Sequence, residues 1–289
     1  MSDKKIVALY HGGCPDGFGG AYAAWKKFGD EAEYIPLSRG EEVDVELVRG
    51  KDAYFIDFVY NEIETMKRYA DVALSLTALD HHEGVRDVAE SVPNHVFDAN
   101  RSGAGIAWDF FHEGAPRPDL INFLEDDDLF RFSFPDTRPV ISYLGLHPFT
   151  FEFWDETSAI LEDSSKREEL LKKARVFGEC FEKLAEVAVE RAKMISFEGH
   201  VVAFATAHPY KPIKSLTGNL LAKKYPPFAL VVTAHPNGYG VSIRGDGSVN
   251  VAKIAEKYGG NGHPNSAGFL IPREGPFPWE LVEDEDTRD

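Results

Sequence analysis

The sequence predicts an α/β protein with an N-terminal parallel sheet, a helical connector and a smaller C-terminal α/β domain. Three observations carry this. Short apolar runs alternate with helix-period segments over the first hundred residues; a long, charge-laced amphipathic stretch follows; strand and helix patterns then resume. At 289 residues the chain is long enough for two packed domains. The expected bounds are 1–156, 157–197 for the connector, and 198–289.

The elements read in order. KIVALY (5–10) is a buried strand that runs into the glycine-rich HGGCPDGFGG and then the helical AYAAWKKFG. DAYFIDFVY (52–60) is a second strand reaching Asp57, followed by the helical NEIETMKRYA with Asn61 as its cap. DVALSLTALDHH supplies a third strand, and SGAGIAWDFFHEG (102–114) a helix opened by Ser102. From 157 to 195, Leu170, Leu171, Val176, Phe177, Phe181, Leu184, Val187 and Ala188 trace one or two amphipathic helices. Beyond them, HVVAFATA, FALVVTAH and YGVSIRG read as strands, SLTGNLLAKKY and NVAKIAEKYGG as helices, and VEDEDTRD as a solvated tail.

Composition narrows the partners. Acids outnumber bases 48 to 31, a net charge of −17, which disfavours long duplex DNA because its binding needs clustered cations. Two cysteines, Cys14 and Cys180, do not make a disulfide framework. Neither a leader-like apolar stretch nor a run of spanning length is evident, so a cytoplasmic location and no membrane partner are expected.

The chemistry gathers at strand ends, where ligands meet open parallel sheets. His11 and Asp16 follow the first strand, Asp57 the second, and Asp80-His81-His82 the third; Asp126 to Asp128 lie between apolar flanks in FLEDDDLF. Singly, each has a plain reading: a hydrogen-bonded histidine, a turn acid, a solvated charge run. Together, mixed carboxylates and imidazoles suit Mn²⁺, Mg²⁺, Fe²⁺ or Zn²⁺, and shared carboxylates suit paired ions about 3.5–4 Å apart that activate water at a phosphoryl group.

The combination of HGGCPDGFGG, Asp57 in FIDF, Asp80-His81-His82, LEDDDLF and the late GGNGHPNSAGF resembles the DHH phosphoesterases, in the family's order and over nearly the whole chain. The arrangement is similar to bacterial oligoribonucleases (nanoRNases) and pAp phosphatases, with RecJ-type exonucleases more distant. The resemblance implies a metal-binding domain, a helical connector and a DHH-associated substrate-binding domain, with catalysis in the cleft between the domains. It implies a divalent metal, Mn²⁺ first, as one or two ions. By motif, His11 and Asp57 hold one ion, while Asp16, Asp57, His81 and Asp126 hold the other. Asp80 and His82 form the catalytic pair, Asp80 orienting an imidazole and His82 contacting phosphate or a water. Arg244, His263, Asn219, Gly260 and Gly262 are the implied substrate contacts, an Arg fork suiting phosphate.

This chain departs from the family where Cys14-Pro15-Asp16 replaces the usual Asp-x-Asp. Either Cys14 is a metal ligand that favours softer ions such as Zn²⁺ or Fe²⁺, or it stands aside and the His11 position is weak; a simple packing role is the third option. Asn261 replaces a usual glycine. The activity implied is metal-dependent hydrolysis of short oligoribonucleotides or pAp to mononucleotides by activated water. Cyclic-dinucleotide phosphodiesterase, inorganic pyro- or polyphosphatase and an impaired nucleotide-binding protein are the alternatives. Phe18, Trp108, Phe130, Phe132 and Tyr239 lie near the motifs, and most are expected in the core.

Overall fold

The computed structural model describes residues 4–38, 40 and 42–282, apart from the side chains of 261 and 263. It divides into two compact units, through residue 178 and from 179 onward.

The first unit is a five-stranded sheet in the order β2-β1-β3-β4-β5, with every pairing parallel. Its strands are β1 (Ile6–His11), β2 (Ala32–Leu37), β3 (Asp52–Ile56), β4 (Ser75–Asp80) and β5 (Asn94–Phe97). Helices α1 (Pro15–Phe28), α2 (Ile63–Val72), α3 (Arg86–Ser91) and α4 (Gly103–Phe111) lie between and after them. Then come α5 (Asp119–Asp128), α6 (Thr137–Gly145) and α7 (Phe151–Glu162), and α8 (Arg167–Glu190) begins in this unit and runs past its end at residue 178. The central strands are apolar throughout because both faces are covered. Ala8, Ile56, Tyr22, Ala107 and Trp154 share one core; Val7, Leu9, Phe55, Tyr69 and Val48 share the other.

The strand order matters for function. The chain steps from β1 to β2 on one side and then crosses to β3 on the other. The crevice beyond the carboxyl ends of β1 and β3 is therefore the topological switch point, where such sheets take ligands.

The second unit contains β6 (Lys193–Phe197), β7 (His200–Thr206), α9 (Lys211–Lys224), β8 (Phe228–His235), β9 (Gly238–Gly245), α10 (Val251–Lys257), β10 (Asn261–His263), β11 (Ser266–Pro272) and β12 (Glu280–Leu281). Its sheet order is β10-β11-β9-β8-β7-β6-β12, with β7 and β8 parallel and the other pairings antiparallel. No described helix is long and apolar enough to cross a membrane.

Several local expectations differ. β2 and β5, which the sequence pattern did not assign, complete the sheet edges. Asn61 is not the cap of α2; Glu62 holds that position and makes no side-chain cap bond. Asp126 to Asp128 end a helix rather than occupying a loop, and residues 193–197 pair as a strand where helix was expected. GGNGHPNSAGF folds as the β10–β11 hairpin. The expected tail lies almost wholly outside the described residues.

Candidate metal centre

Three strands deliver the site. β1 ends at His11, β3 delivers Asp57 one residue past its end, and β4 ends at Asp80 with His81 and His82 immediately following. Asp57 has φ 56°, a left-handed conformation that Asp tolerates better than bulkier residues, and its N–H donates to Leu79 O at 2.8 Å. The chain thus turns sharply enough to point the carboxylate into the crevice.

Asp57 divides its two oxygens. Oδ2 pairs with His11 Nδ1 at 3.2 Å, and Oδ1 pairs with His81 Nε2 at 3.2 Å. His81 Nε2 also lies 3.7 Å from Asp16 Oδ2 and 3.6 Å from Asp128 Oδ2. Donor atoms within 4.8 Å of one another form three groups among the described residues: His11, Cys14 and Asp57; Asp57, His81 and His82; Asp16, His81 and Asp128. Asp57 and His81 each belong to two of these groups.

Other residues hold the donors in place. Asp16, buried in the first turn of α1, accepts hydrogen bonds from Gly103 N (2.6 Å) and Ala104 N (3.0 Å), two of the unpaired N–H groups that open α4. Only glycine fits at 103, since a Cβ there would stand 2.5 Å from Asp57 Cβ. Ser102 caps the same helix by accepting from Gly105 N. A Cβ at Gly17 would meet His11 O at 2.3 Å, so the DGFGG run serves close packing of α1 on the sheet. Asp80 is fully buried; its Oδ1 accepts from His81 N (2.6 Å) and His82 N (2.8 Å) and pairs with His82 Nδ1 (2.7 Å). It orients the His82 imidazole and holds the backbone of both histidines without being among the clustered donors.

The charges are crowded. Burial and the neighbouring Asp57 push Asp16 up to about 7, against attraction from His81 and the Ala104 N–H. Burial and Asp16 push Asp128 up to about 7. Burial opposes the charge on both Asp57 and His81, but their pairing prevails. His11 and His81 hold Asp57 well below the usual carboxylate range, while Asp57, Asp16 and Asp128 raise His81 to about 10. Acids forced toward neutrality beside a protonated imidazole form a set that a divalent cation would relieve, displacing the proton. Hard oxygens, imidazole nitrogens and one sulfur at coordination spacing fit such an ion.

The late acid among the donors is Asp128, not Asp126. Asp126 Oδ1 accepts from Ser133 N (2.8 Å), and its Oδ2 accepts from Phe134 N (3.3 Å) and the Thr137 hydroxyl. It fastens the loop after α5, and its neighbour two residues on reaches His81. The motif register selected Asp126 from the triplet DDD; the turn of α5 brings Asp128 to His81 instead.

In the second unit, Arg244 on β9 donates through Nη2 to Ser215 Oγ (3.1 Å) and through Nη1 to Ile243 O (3.0 Å). Its buried Nε has no hydrogen-bond partner and no carboxylate pairs with it among the described residues. Burial pulls the guanidinium down to about 10, and burial with Arg244 and Lys211 lowers Lys214 on α9. A buried guanidinium with an unpartnered nitrogen, beside the half-buried Lys214, is suited to an anion. Lys214 was missed in sequence because nothing in KSLTGN marks it; β9 brings Arg244 beside it. Asn219 sits half-buried on the same helix. Gly260 and Gly262 are explained by β11, since a Cβ would meet Gly268 O at 2.1 Å and Ala267 Cα at 2.4 Å respectively. The side chain of His263 lies outside the described residues.

Comparison with known proteins agrees with this division. Residues 199–283 match the DHHA1 domain. An uncharacterized protein of Acanthamoeba polyphaga mimivirus is 25% identical over 312 residues, covering 98% of this chain and 71% of its own. Among solved structures, the DHH domain protein PF0399, described as a member of the s1p family of ribosomal proteins, superposes with TM-score 0.61 at 13% identity, over 92% of this chain and 82% of its own. A pGpG-specific phosphodiesterase, PggH of Vibrio cholerae, gives 0.50 at 13%, over 93% and 94%. The exonuclease RecJ bound to manganese gives 0.50 at 13%, over 92% and 86%. Fold and site define a two-unit α/β protein with a strand-end cluster of carboxylates and imidazoles followed by a DHHA1 domain. Residues 199–283 belong to the DHHA1 domain family, and the fold of the chain is shared with solved structures that include a DHH-domain protein.

Proposed function

We propose that this protein hydrolyses phosphoester bonds in short nucleotide substrates, short oligoribonucleotides or pAp, with a divalent metal held by His11, Cys14, Asp16, Asp57, His81 and Asp128. The observation that carries this reading is the pair of donor groups that share Asp57. A bound divalent cation supplies a Lewis acid that acidifies water and neutralises phosphoryl charge.

The chain's own groups do the rest. Asp80 fixes His82 through Nδ1, an orientation in keeping with His82 contacting the substrate phosphate or carrying a proton. Arg244 and Lys214 meet the negative charge of a phosphate. The loop after α5 favours a nucleotide over pyrophosphate. Phe18 and Trp108 are core, as expected, but Phe130 is 52% exposed two residues beyond Asp128, with Phe132 edge-on to it at 6.0 Å. An exposed ring so close to the donor cluster suits a nucleobase. The likeness in fold to a pGpG phosphodiesterase and a manganese-bound exonuclease is in keeping with a nucleotide substrate and with Mn²⁺.

The test is release of mononucleotide from a 5′-phosphorylated RNA dinucleotide with Mn²⁺, Mg²⁺, Zn²⁺ or no metal, beside Asp57→Asn and with pAp, a cyclic dinucleotide and pyrophosphate as alternative substrates. Metal-dependent cleavage of the dinucleotide or pAp, lost in the variant, is expected. Turnover of pyrophosphate alone would overturn the nucleotide reading.

A further inference from the structure

We infer that the centre has two chemically unlike metal positions, the one at His11, Cys14 and Asp57 using the Cys14 thiolate as a ligand and preferring a softer ion than its neighbour. This rests on the metal-centre reading above and deepens it. The Cys14 sulfur, a His11 ring nitrogen and an Asp57 oxygen lie within 4.8 Å of one another, a span that one ion can bridge. The second group, Asp16, His81 and Asp128, has two carboxylates and one imidazole, and Asp57 Oδ1 also points toward it. One position is therefore nitrogen, sulfur and oxygen; the other is oxygen-rich. Thiolate selects Zn²⁺, Fe²⁺ or Co²⁺, whereas carboxylate oxygens suit Mn²⁺ and Mg²⁺.

The backbone around Cys14 supports a ligand role over simple packing. Cys14 is buried yet occupies the N-cap of α1 in an extended conformation (φ −115°, ψ 130°), with its carbonyl accepting Phe18 N at 3.0 Å. The first turn of a helix favours negative charge, which a thiolate supplies. A thiol placed only for packing would face apolar side chains; this one shares a corner with an imidazole and a carboxylate. Three protein ligands leave a position open, the usual condition of a catalytic rather than a structural site.

The experiment is titration of the metal-free protein with Co²⁺, followed by absorption, in wild type, Cys14→Ser, Cys14→Asp and Cys180→Ser. A sulfur-to-cobalt charge-transfer band in the near ultraviolet is expected in wild type and Cys180→Ser. Visible cobalt bands without it are expected in both Cys14 variants. The wild-type titration is decisive by itself if a Cys14 variant fails to fold. Visible cobalt absorption in wild type with no charge-transfer band would overturn thiolate ligation while leaving the metal centre intact. A wild-type protein that takes up no cobalt would overturn both. Competition completes the test: Zn²⁺ should erase the charge-transfer band at concentrations where Mn²⁺ leaves it, and equal displacement by the two ions would overturn the claimed preference.

Discussion

Oδ1 of Asp57 lies 3.2 Å from Nε2 of His81, while the other oxygen of the same carboxylate stands equally far from Nδ1 of His11. A single carboxylate therefore belongs to two donor groups, and removing its charge should empty both. In wild type, a divalent metal present at about 100 times its Kd should add about 2.7 kcal/mol to stability. Asp57→Asn should show no metal-induced rise in thermal midpoint. Equal rises in the two proteins would mean that the ion binds elsewhere.

Asp126 and Asp128, two residues apart, should behave in opposite ways. Asp128→Asn should lose metal affinity and keep its fold, because the carboxylate faces His81. Asp126→Ala strands the N–H groups of Ser133 and Phe134 and the Thr137 hydroxyl, and should cost about 1–3 kcal/mol in denaturant unfolding. Metal loss in Asp126→Ala without destabilisation would reverse the assignment.

Gly103→Ala places a Cβ 2.5 Å from Asp57 Cβ and 3.0 Å from Asp16 Oδ2. Neither contact can relax without moving a donor. The substitution should cost about 1–3 kcal/mol by overpacking and weaken metal uptake, measured by urea unfolding and equilibrium dialysis. A variant with wild-type stability and metal affinity would show that α4 can draw away from the donors.

These residues differ in how visible they were from sequence. His11, Asp57 and the Asp80-His81-His82 triplet could be found because each ends an apolar run, and strand ends of a parallel sheet converge on one edge. The same reasoning could not order β2 and β5 into the sheet. AEYIPL contains Pro36, and the NHVF strand is largely exposed, so neither has the continuous apolar pattern that marks the central strands. Asp128 was hidden for a different reason: three consecutive acids at a helix end differ only by rotation of about 100° each, a register that packing of α5 decides. Gly103 and Lys214 carry no local signal, because what they touch is remote in sequence. The sequence also could not distinguish exposed from core aromatics, which needs the loop geometry set by Asp126.

Asp80 acts through the histidine pair it holds. It binds both backbone N–H groups of the His pair as well as His82 Nδ1. Asp80→Asn keeps the volume and loses the charge, and should lower metal affinity or activity about 10- to 100-fold. Isothermal titration with Mn²⁺ reads the first and dinucleotide cleavage the second. An unchanged pair of values would reduce Asp80 to a buried structural acid.

Phe130 and Phe132 have φ 53° and 48°, conformations that bulky residues seldom adopt. Hydrogen bonds to Asp126 hold the loop in that form: its carbonyl accepts Arg131 N and Phe132 N, and its carboxylate accepts the next two N–H groups. Arg138 lies over the Phe132 ring at 4.2 Å, fixing one face, while Phe130 stays exposed. A chain that strains two aromatics beside the donor Asp128 and leaves one uncovered gains nothing in packing; a stacked base would account for the arrangement. Phe130→Ala should therefore raise KM for a dinucleotide by the loss of about 1–3 kcal/mol of stacking, roughly 5- to 150-fold, with kcat little changed. Phe130→Trp should restore KM, because any aromatic face serves. Pyrophosphate, which has no base, gives the control: a similar loss of its hydrolysis in Phe130→Ala, or a fall in kcat alone, would place the ring in the support of Asp128 instead of in substrate recognition.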